Sequence, residues 1–309
     1  MSTLVTGGTG LVGSHFNEDF IKVSSKDCDL VSNEETKKLF EEHKPNRVIH
    51  TAARVGGLGS NMLYKADYFY ENICINTNVI ENSRLYNVDR LACFLTTCIF
   101  PHNQVSYPIR PQYLHDGPPH ESNFGYAYAK RMAEVQIRAI NEQYDKNYFC
   151  VIPTNIFGPG DNFSLEHGHV IPMLIHKMYI SKNFDRDFEV WGTGKPLREF
   201  IFAKDVAKLT EKLLDKYNET EPVILSTSCE VSIKEVVDML VDIFKFEGKV
   251  VWDKDKPNGQ YRKPTDNSKI QELFPDFKFT GLREGLEETV EWFNKNYASA
   301  RKQSINYRD

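Results

Sequence analysis

The chain has 309 residues, of which 40% are hydrophobic and 26% charged, with a formal net charge of −5. This length suffices for one large domain, or for one domain and a smaller lobe. The acidic balance argues against a general nucleic-acid or membrane-surface binder, and no run approaches the roughly 18 apolar residues that span a bilayer. The six cysteines lack CxxC spacing, so we expect no metal site and reduced thiols in a cytoplasmic protein without a secretory signal.

The first half of the chain alternates short apolar runs with segments of helical periodicity. Strands are predicted at 3–6, 47–51, 91–96 and 149–153, and helices at 34–43, 66–87 and 126–144. Strands that alternate with helices indicate βαβ units and a parallel sheet. We therefore predict an α/β fold with a Rossmann-type, doubly wound parallel sheet.

After Gly160 the pattern loosens. Helices are predicted at 168–181, 205–217, 232–244 and 285–296, strands at 189–191 and 249–253, and a polar loop at 254–267. The helix at 205–217 is expected to return to the main body. We therefore predict a dinucleotide-binding domain of residues 1–163 plus 202–226, and a smaller C-terminal α/β substrate lobe of residues 164–201 plus 227–309.

A glycine-rich turn follows the first predicted strand. Gly7, Gly10 and Gly13 stand at GxxGxxG spacing, which permits a tight turn and lets backbone amides approach a pyrophosphate. The N-terminus of the following helix would present free N–H groups to the phosphates. The first crossover is short, so this helix is expected to hold about two turns. The pattern predicts dinucleotide binding.

The tip of the second strand bears on the choice of dinucleotide. Ser24, Ser25 and Lys26 form this tip, and their hydroxyls and cation suit a 2′-phosphate. Asp27 stands twenty positions after Gly7, where an acidic residue would select NAD. Because the crossover is short, Asp27 is expected to lie past the tip, and NADP(H) is favoured over NAD(H).

The segment 126–130 carries the candidate acid–base pair. Tyr126 and Lys130 lie four apart on one helical face, and a nearby cation lowers the pKa of a phenol toward the range useful in catalysis. Tyr128 is a competing phenol, but Met132 stands four residues after it. At the end of the strand at 91–96, Thr96, with Thr97 as the alternative, can hydrogen-bond a substrate carbonyl. Cys98 is either an inert small residue or a base.

Several motifs together resemble the extended short-chain dehydrogenase/reductase superfamily, and most closely its GDP-L-fucose synthase family. They are AARVGG at 52–57, TCIFP at 97–101, YAYAK at 126–130, PTNIFG at 153–158, DNF at 161–163, HVIP at 169–172, WGTG at 191–194 and REF at 198–200. The combination of Cys98 with His169 distinguishes this family from single epimerases and dehydratases. The chain departs from the family pattern in three places: Thr96 replaces Ser, Asn258 replaces Asp, and the first crossover is shorter.

The resemblance implies epimerisation and reduction in one pocket. GDP-4-keto-6-deoxy-D-mannose would be epimerised at C3 and C5 by Cys98 and His169, and then reduced at C4 with NADPH, with Tyr126 as proton donor. Lys130 would hold the ribose and Thr96 would orient the carbonyl. The implied cofactor-binding residues are Gly7, Thr9, Gly10, Leu11, Val12, Gly13, Ser24, Ser25, Lys26, Ala52, Ala53, Lys130, Pro153, Thr154, Asn155, Ile156 and His169.

For the substrate nucleotide, the resemblance implies contacts with Lys177, Trp191, Arg198 and Asn258. From the residues alone, the alternative is that Trp191 belongs to the core. His102, His115 and His120 lie in a Pro-rich loop that faces the pocket in the family, and they are interpreted as solvated polar residues. The helices at 66–87 and 126–144 carry apolar residues on more than one face, and in the family such helices pair into a four-helix contact, so a homodimer is expected.

Overall fold

The computed structural model describes residues 1–103, 106–256, 258 and 260–302. In chain order its strands are β1 (Thr3–Thr6), β2 (Ile21–Val23), β3 (Arg47–His50), β4 (Arg90–Phe94), β5 (Asn147–Pro153), β6 (Asn155–Phe157), β7 (Phe188–Trp191), β8 (Leu197–Phe202), β9 (Val223–Leu225), β10 (Glu230–Ser232) and β11 (Val250–Asp253). Its α-helices are α1 (Asn33–His43), α2 (Leu58–Leu63), α3 (Lys65–Leu85), α4 (Phe124–Tyr144), α5 (Val170–Asn183), α6 (Ala203–Lys216), α7 (Ile233–Phe244), α8 (Ser268–Leu273) and α9 (Leu282–Lys295).

The central sheet has six parallel strands in the order β2-β1-β3-β4-β5-β9. Strand order reverses at β1, because β2 lies on one side of it and β3 on the other. In open α/β sheets, ligands bind outside the carboxyl ends of the strands at such a reversal. The predicted Rossmann-type fold is confirmed, although β9, which pairs with β5, was not predicted from the sequence.

The first crossover contains no α-helix. Between β1 and β2 the structure has a single 3₁₀ turn, Gly13–His15, so the expectation of a two-turn helix is wrong. Carbonyls at this turn accept hydrogen bonds from a side chain of β2: Lys22 Nζ donates to Ser14 O at 3.2 Å and to Phe16 O at 2.7 Å. The rest of this segment is built mainly of turns and bends. An α-helix advances only about 1.5 Å per residue, so this few residues cannot form a helix and also reach the start of β2.

Both faces of the sheet are covered, as a parallel sheet requires. Buried side chains of α1, α3 and α4 pack on one face, and those of α6 and α8 pack on the other. Each large apolar side chain buried in this way contributes about 1.5–3 kcal/mol to folding. The sheet edge that carries the predicted site is therefore held from both sides.

A third hydrophobic cluster forms away from the central sheet. It joins α5, α7 and α9 to β7 and β8. Two small sheets belong to this region, one ordered β10-β8-β6 and the other pairing β11 with β7. A capping box begins α7, in which Ser232 Oγ accepts from the Glu235 N–H and the Glu235 carboxylate accepts from the Ser232 N–H. Within the described ranges, no helix combines the length and apolar character needed to cross a membrane.

Candidate active site

A cavity of about 1450 Å³ opens over the carboxyl ends of the central strands. It brings together most of the residues proposed from the sequence. These are Gly7, Thr9, Gly10, Leu11, Val12, Gly13, Ser24, Ser25, Ala52, Ala53, Thr96, Cys98, Tyr126, Lys130, Pro153, Thr154, Asn155, Ile156, His169 and Arg198. Four others, Lys26, Lys177, Trp191 and Asn258, lie outside the cavity lining.

The glycine turn after β1 forms one wall of the cavity. Gly7 has a φ of +72°, and a Cβ on it would lie 2.8 Å from Thr51 Oγ1. A Cβ on Gly13 would lie 2.1 Å from Gly7 O. The Gly10 N–H donates to Gly7 O at 2.9 Å. The turn can therefore fold onto itself only with glycine at these positions, which leaves bare backbone facing the cavity for a pyrophosphate.

The residues that follow β2 place two serines in the cavity lining and keep the carboxylate of Asp27 out of it. Ser24 and Ser25 line the cavity, whereas Asp27 does not. Asp27 Oδ2 accepts from the N–H and the hydroxyl of Ser24 at 2.8 and 2.7 Å. These hydrogen bonds from Ser24 lower the pKa of Asp27. The carboxylate stabilises its own turn, and its position past the strand tip agrees with the prediction.

Tyr126 lies at the start of α4, where this helix touches α3. A Cβ on Gly125 would lie 2.4 Å from Lys65 O, so the two helices approach closely at this point. The Tyr126 ring stands edge-on to the buried Tyr68, with 6.3 Å between centroids. Burial, followed by the charges of Cys98 and Tyr68, raises the pKa of Tyr126 well above its usual value. In this geometry the phenol holds its proton, which suits a proton donor.

Lys130 is almost completely buried, one helical turn after Tyr126. Its ammonium donates to Phe94 O, at the end of β4, over 2.8 Å. Burial lowers the pKa of Lys130. The ammonium is therefore anchored at the strand mouth. The sequence predicted that this cation lowers the pKa of Tyr126. The pKa is instead raised, because burial of the phenol is the largest influence on it.

A buried polar chain lies beneath Lys130 and was not predicted from the sequence. His50 Nδ1 and Thr6 Oγ1 are 2.7 Å apart, and His50 Nε2 lies 3.1 Å from Asn76 Oδ1. Asn76 Nδ2 donates to Ala129 O at 3.3 Å. Burial, reinforced by the charge of Lys130, lowers the pKa of His50 to about 3. This neutral imidazole ties β1 and β3 to α3 and thence to α4.

Cys98 lies in the 3₁₀ turn after β4 and is partly exposed to the cavity. Its N–H donates to Thr96 Oγ1 at 3.4 Å. Burial raises the pKa of the thiol, whereas Lys263, Thr96 and Lys130 lower it. Lys263 comes from the distant polar loop, and its ammonium donates to Thr97 O. It lines the same cavity, and burial lowers its pKa to about 8.

The role of Lys263 was missed because nothing in the polar loop distinguishes it from neighbouring cations. Arg198 also lines the cavity, from β8, and its Nη1 donates to Leu197 O at 2.7 Å. Burial lowers the pKa of Arg198, and the charge of Arg198 in turn lowers the pKa of Lys263. Two cations therefore stand near each other at the wall that carries Cys98, an arrangement that suits an anionic ligand.

The remaining candidate substrate contacts form a separate surface cluster. Trp191 is 43% exposed, so it does not belong to the core. The ammonium groups of Lys177 and Lys256 lie 4.6 and 5.6 Å from the centroid of its ring system. Asn258 Oδ1 accepts from the N–H of Thr193 at 2.8 Å and from its hydroxyl at 2.9 Å. Asn258 therefore stabilises the turn beside Trp191.

Two of the three histidines that were interpreted as solvated lie at the cavity. His102 and His120 line it, and their rings meet edge-on with 4.3 Å between centroids. His120 Nδ1 also accepts from the Ser122 N–H at 3.0 Å. His115 instead pairs with Glu134, over 2.8 Å. Burial, followed by the charges of His102 and Lys263, lowers the pKa of His120.

Known proteins resemble this chain over nearly its whole length. The profile of the NAD dependent epimerase/dehydratase family matches residues 3–225. GDP-L-fucose synthase from Dictyostelium discoideum is 47% identical, over 97% of this chain and 98% of its own. Probable GDP-L-fucose synthase from Drosophila melanogaster is 42% identical, over 97% of this chain and 99% of its own.

Solved structures agree with these sequence relatives. A GDP-L-fucose synthetase from Naegleria fowleri, crystallised bound to NADP, superposes with a TM-score of 0.91 at 41% identity. The superposition covers 97% of this chain and 95% of the other. The chain therefore belongs to the NAD dependent epimerase/dehydratase family and, within it, to the GDP-L-fucose synthases.

Proposed function

We propose that this protein converts GDP-4-keto-6-deoxy-D-mannose into GDP-L-fucose, by epimerisation at C3 and C5 and NADPH-dependent reduction at C4. One observation carries the proposal: Cys98 and His169 line the same cavity as Tyr126 and Lys130. A plain ketone reductase needs only a proton donor beside its hydride source. The relatives that match over nearly the full chain bear the corresponding name.

Proton exchange comes first in the proposed reaction. The 4-keto group acidifies the protons on C3 and C5, so a base can remove each proton and an acid can return one to the opposite face. Cys98, partly exposed, and His169, exposed, both line the cavity and supply a thiol and an imidazole for these transfers. Thr96 is the candidate hydrogen-bond donor to the carbonyl oxygen.

Reduction follows at the same carbonyl. NADPH, when bound, supplies hydride to C4. The bare backbone at Gly7 and Gly13 fits a pyrophosphate, and the Ser25 hydroxyl suits a 2′-phosphate, whereas the Ser24 hydroxyl donates to Asp27. Tyr126 holds its proton until charge develops on the C4 oxygen, and then donates it. Lys130, anchored on Phe94 O, is the candidate contact for the ribose.

An assay that follows both NADPH oxidation and the sugar product tests this function. The protein is incubated with GDP-4-keto-6-deoxy-D-mannose and NADPH, absorbance at the reduced-cofactor wavelength is followed, and the product sugar is identified by chromatography. We expect NADPH loss that matches the formation of GDP-L-fucose. Flat absorbance with a rearranged sugar would instead identify a sibling epimerase or dehydratase that retains its cofactor. Flat absorbance with no new sugar would remove the proposal.

The substrate nucleotide is proposed to extend from the cavity toward the exposed cluster at Trp191. Arg198 lines the cavity and can clamp a phosphate in a bidentate manner. Trp191 and Lys177 form the outer part of the path. Asn258 acts through the Thr193 turn in this proposal. Replacing Trp191 by Ala should raise the substrate KM and leave NADPH affinity unchanged.

The predicted homodimer belongs to the same proposal. Several apolar side chains on α3 and α4 are exposed, among them Phe69, Leu85 and Met132. Pairing these two helices with those of a second copy would cover such surface in a four-helix contact. Light scattering of the purified protein should give twice the chain mass. Met132→Glu should shift it toward the monomer.

The two-lobe division and the cytoplasmic location are also proposed. The hydrophobic cluster around α5, α7 and α9 supports a substrate lobe of residues 164–201 plus 227–309, beside a dinucleotide-binding domain of residues 1–163 plus 202–226. All six cysteines are free, which supports a reducing compartment. Limited proteolysis with and without NADPH tests the division, since the cofactor should protect the first part more than the second.

A further inference from the structure

We propose that Asp161 is a positioning residue for His169: the exposed imidazole turns onto this buried carboxylate, which then orients the ring for proton exchange at the sugar. This inference rests on the proposed function and assigns a role to a residue outside the catalytic set predicted from the sequence. The pair is joined by a folded loop, and both of its members line the cavity.

Asp161 is a buried carboxylate at the wall of the cavity. It is 2% exposed and follows the turn at Gly160, whose φ is +81°. Its Oδ1 accepts from the N–H of Asn162 at 2.6 Å. Its Oδ2 is buried and has no hydrogen-bond partner among the described residues. Burying a carboxylate oxygen without a hydrogen bond costs free energy, so we expect a cation or a hydrogen-bond donor to stabilise this oxygen.

The loop between Asp161 and His169 brings its two ends together. Asn162 Oδ1 accepts from the Ser164 N–H at 3.1 Å, and the Gly168 N–H donates to Ser164 O at 3.0 Å. A Cβ on Gly168 would lie 2.6 Å from Asn162 O, so the residues next to the two ends touch. Residues 161 and 169 are therefore neighbours across a compact loop.

His169 is free to interact with a carboxylate through its ring. It stands at the N-cap of α5, where its side chain makes no capping hydrogen bond, and it is exposed at the cavity. Burial raises the pKa of Asp161, and the charge of His169 is the largest influence that lowers it, ahead of the Asn162 N–H and Arg301. No ring nitrogen of His169 donates to this carboxylate as the side chains stand, since Oδ2 has no partner among the described residues, so the pair forms when the exposed imidazole turns toward Asp161.

Such a pair has a defined chemical consequence. A carboxylate that accepts from one ring nitrogen sets the tautomer of an imidazole and directs the other nitrogen outward. It also stabilises the imidazolium that forms when the ring takes a proton. The second nitrogen of His169 would then face the sugar, ready to exchange a proton with carbon, while Asp161 itself touches no substrate.

Arg301 offers the rival explanation. Its backbone carbonyl accepts from the Phe163 N–H at 2.8 Å, and its side chain lines the cavity. If Asp161 served only to hold Arg301, the carboxylate would be structural. Replacing Arg301 by Gln should then reproduce the effect of replacing Asp161. The two explanations therefore predict different outcomes for this control.

The test measures carbon–hydrogen exchange apart from reduction. Wild type, Asp161→Asn, His169→Asn, the double variant and Arg301→Gln are incubated with GDP-4-keto-6-deoxy-D-mannose and NADP⁺ in D₂O. Mass spectrometry follows deuterium at C3 and C5. We expect Asp161→Asn to slow exchange by about 10- to 100-fold, as the loss of a supporting group for an imidazole does. It should add nothing in the His169→Asn background, and Arg301→Gln should stay near wild type.

Several outcomes would overturn the pair. These are wild-type exchange in Asp161→Asn, an Asp161→Asn effect that persists fully without His169, or an equal loss in Arg301→Gln. NADPH affinity checks folding, and should Asp161→Asn lose it, Asp161→Ser, whose hydroxyl can accept from the Asn162 N–H, makes the same comparison. A wild-type protein that neither exchanges deuterium nor oxidises NADPH would instead remove the proposed function, so the two failures are distinguishable.

Discussion

Replacing Lys263 by Met should slow the alkylation of Cys98 at neutral pH. Lys263 is the largest of the influences that lower the pKa of the Cys98 thiol, and its ammonium is held against Thr97 O. Methionine keeps the length and apolar bulk of the stem and removes the charge. Without the cation, burial acts on the thiol with less opposition, and its pKa rises.

The expected size of the effect follows from two opposing consequences of that rise. An opposite charge within about 4–6 Å shifts a pKa by about 1–3 units, and each unit lowers the thiolate fraction about tenfold at neutral pH. A more basic thiolate is intrinsically more reactive, with a Brønsted coefficient of about 0.4–0.5, which returns about threefold per unit. For a shift of about one to two units, alkylation of Cys98 should slow by about three- to tenfold.

The assay is iodoacetamide labelling at pH 7, followed by quantification of the peptide that carries Cys98. Labelling at the exposed Cys229 in the same sample provides an internal standard. Lys256→Met is the matched control, because Lys256 lies in the same loop but stands over Trp191. Equal labelling of Cys98 in wild type and Lys263→Met would refute the reasoning, as would an equal loss in Lys256→Met.

The pH dependence of this difference has a definite sign. The pKa of Lys263 is lowered to about 8, so the side chain is charged at pH 7 and loses its proton as the pH rises through that value. The attraction for the thiolate is therefore present below about pH 8 and fades above it. The ratio of wild-type to Lys263→Met labelling should be largest near pH 7 and approach one at higher pH.

Three further changes probe the site and the fold. Tyr126→Phe should lower the rate of NADPH oxidation by about 10²- to 10⁴-fold while deuterium exchange and NADPH affinity persist, and loss of exchange as well would contradict its assignment to the last step. Gly13→Ala should destabilise the protein by about 1–3 kcal/mol in urea unfolding and weaken NADPH binding, because its Cβ would lie 2.1 Å from Gly7 O. Gly59→Ala, inside α2 and with nothing within 4 Å of the new Cβ, is the control for it. Ser232→Ala removes the capping box of α7 and should cost about 0.5–2 kcal/mol in the same experiment, and an unchanged midpoint would show that the cap contributes nothing.

Local patterns were sufficient for much of the fold and for the core of the site. The glycine turn depends on three positions spaced by three, and the Tyr126–Lys130 pair on a spacing of four in a helix, so both are legible in a short stretch of chain. Long periodic helices such as α3 and α4 were predicted near their observed bounds. The place of Asp27 past the strand tip followed from counting the residues of the crossover.

The same counting did not reveal how the short crossover would fold. In place of the predicted helix the structure has a 3₁₀ turn. Carbonyls in and just after this turn accept hydrogen bonds from Lys22, a residue of the next strand. Short strands were also missed, because three residues such as Val223–Leu225 carry no detectable period. Val223–Leu225 becomes a strand because β5 already offers an edge with which it can pair.

What the amino-acid sequence by itself determined was the α/β class, the dinucleotide turn and the list of chemically active side chains. The first two, and the Tyr126–Lys130 pair, depend on residues close together in the chain, where spacing decides which groups share a face. Cys98 and His169 were assigned their roles through the resemblance to a known family. Only the tertiary structure brought Lys263 to the wall that carries Cys98 and buried the Asp161 carboxylate across a compact loop from His169. These environments arise from segments that meet through packing, and burial and neighbouring charge set the protonation of a group only once they have met.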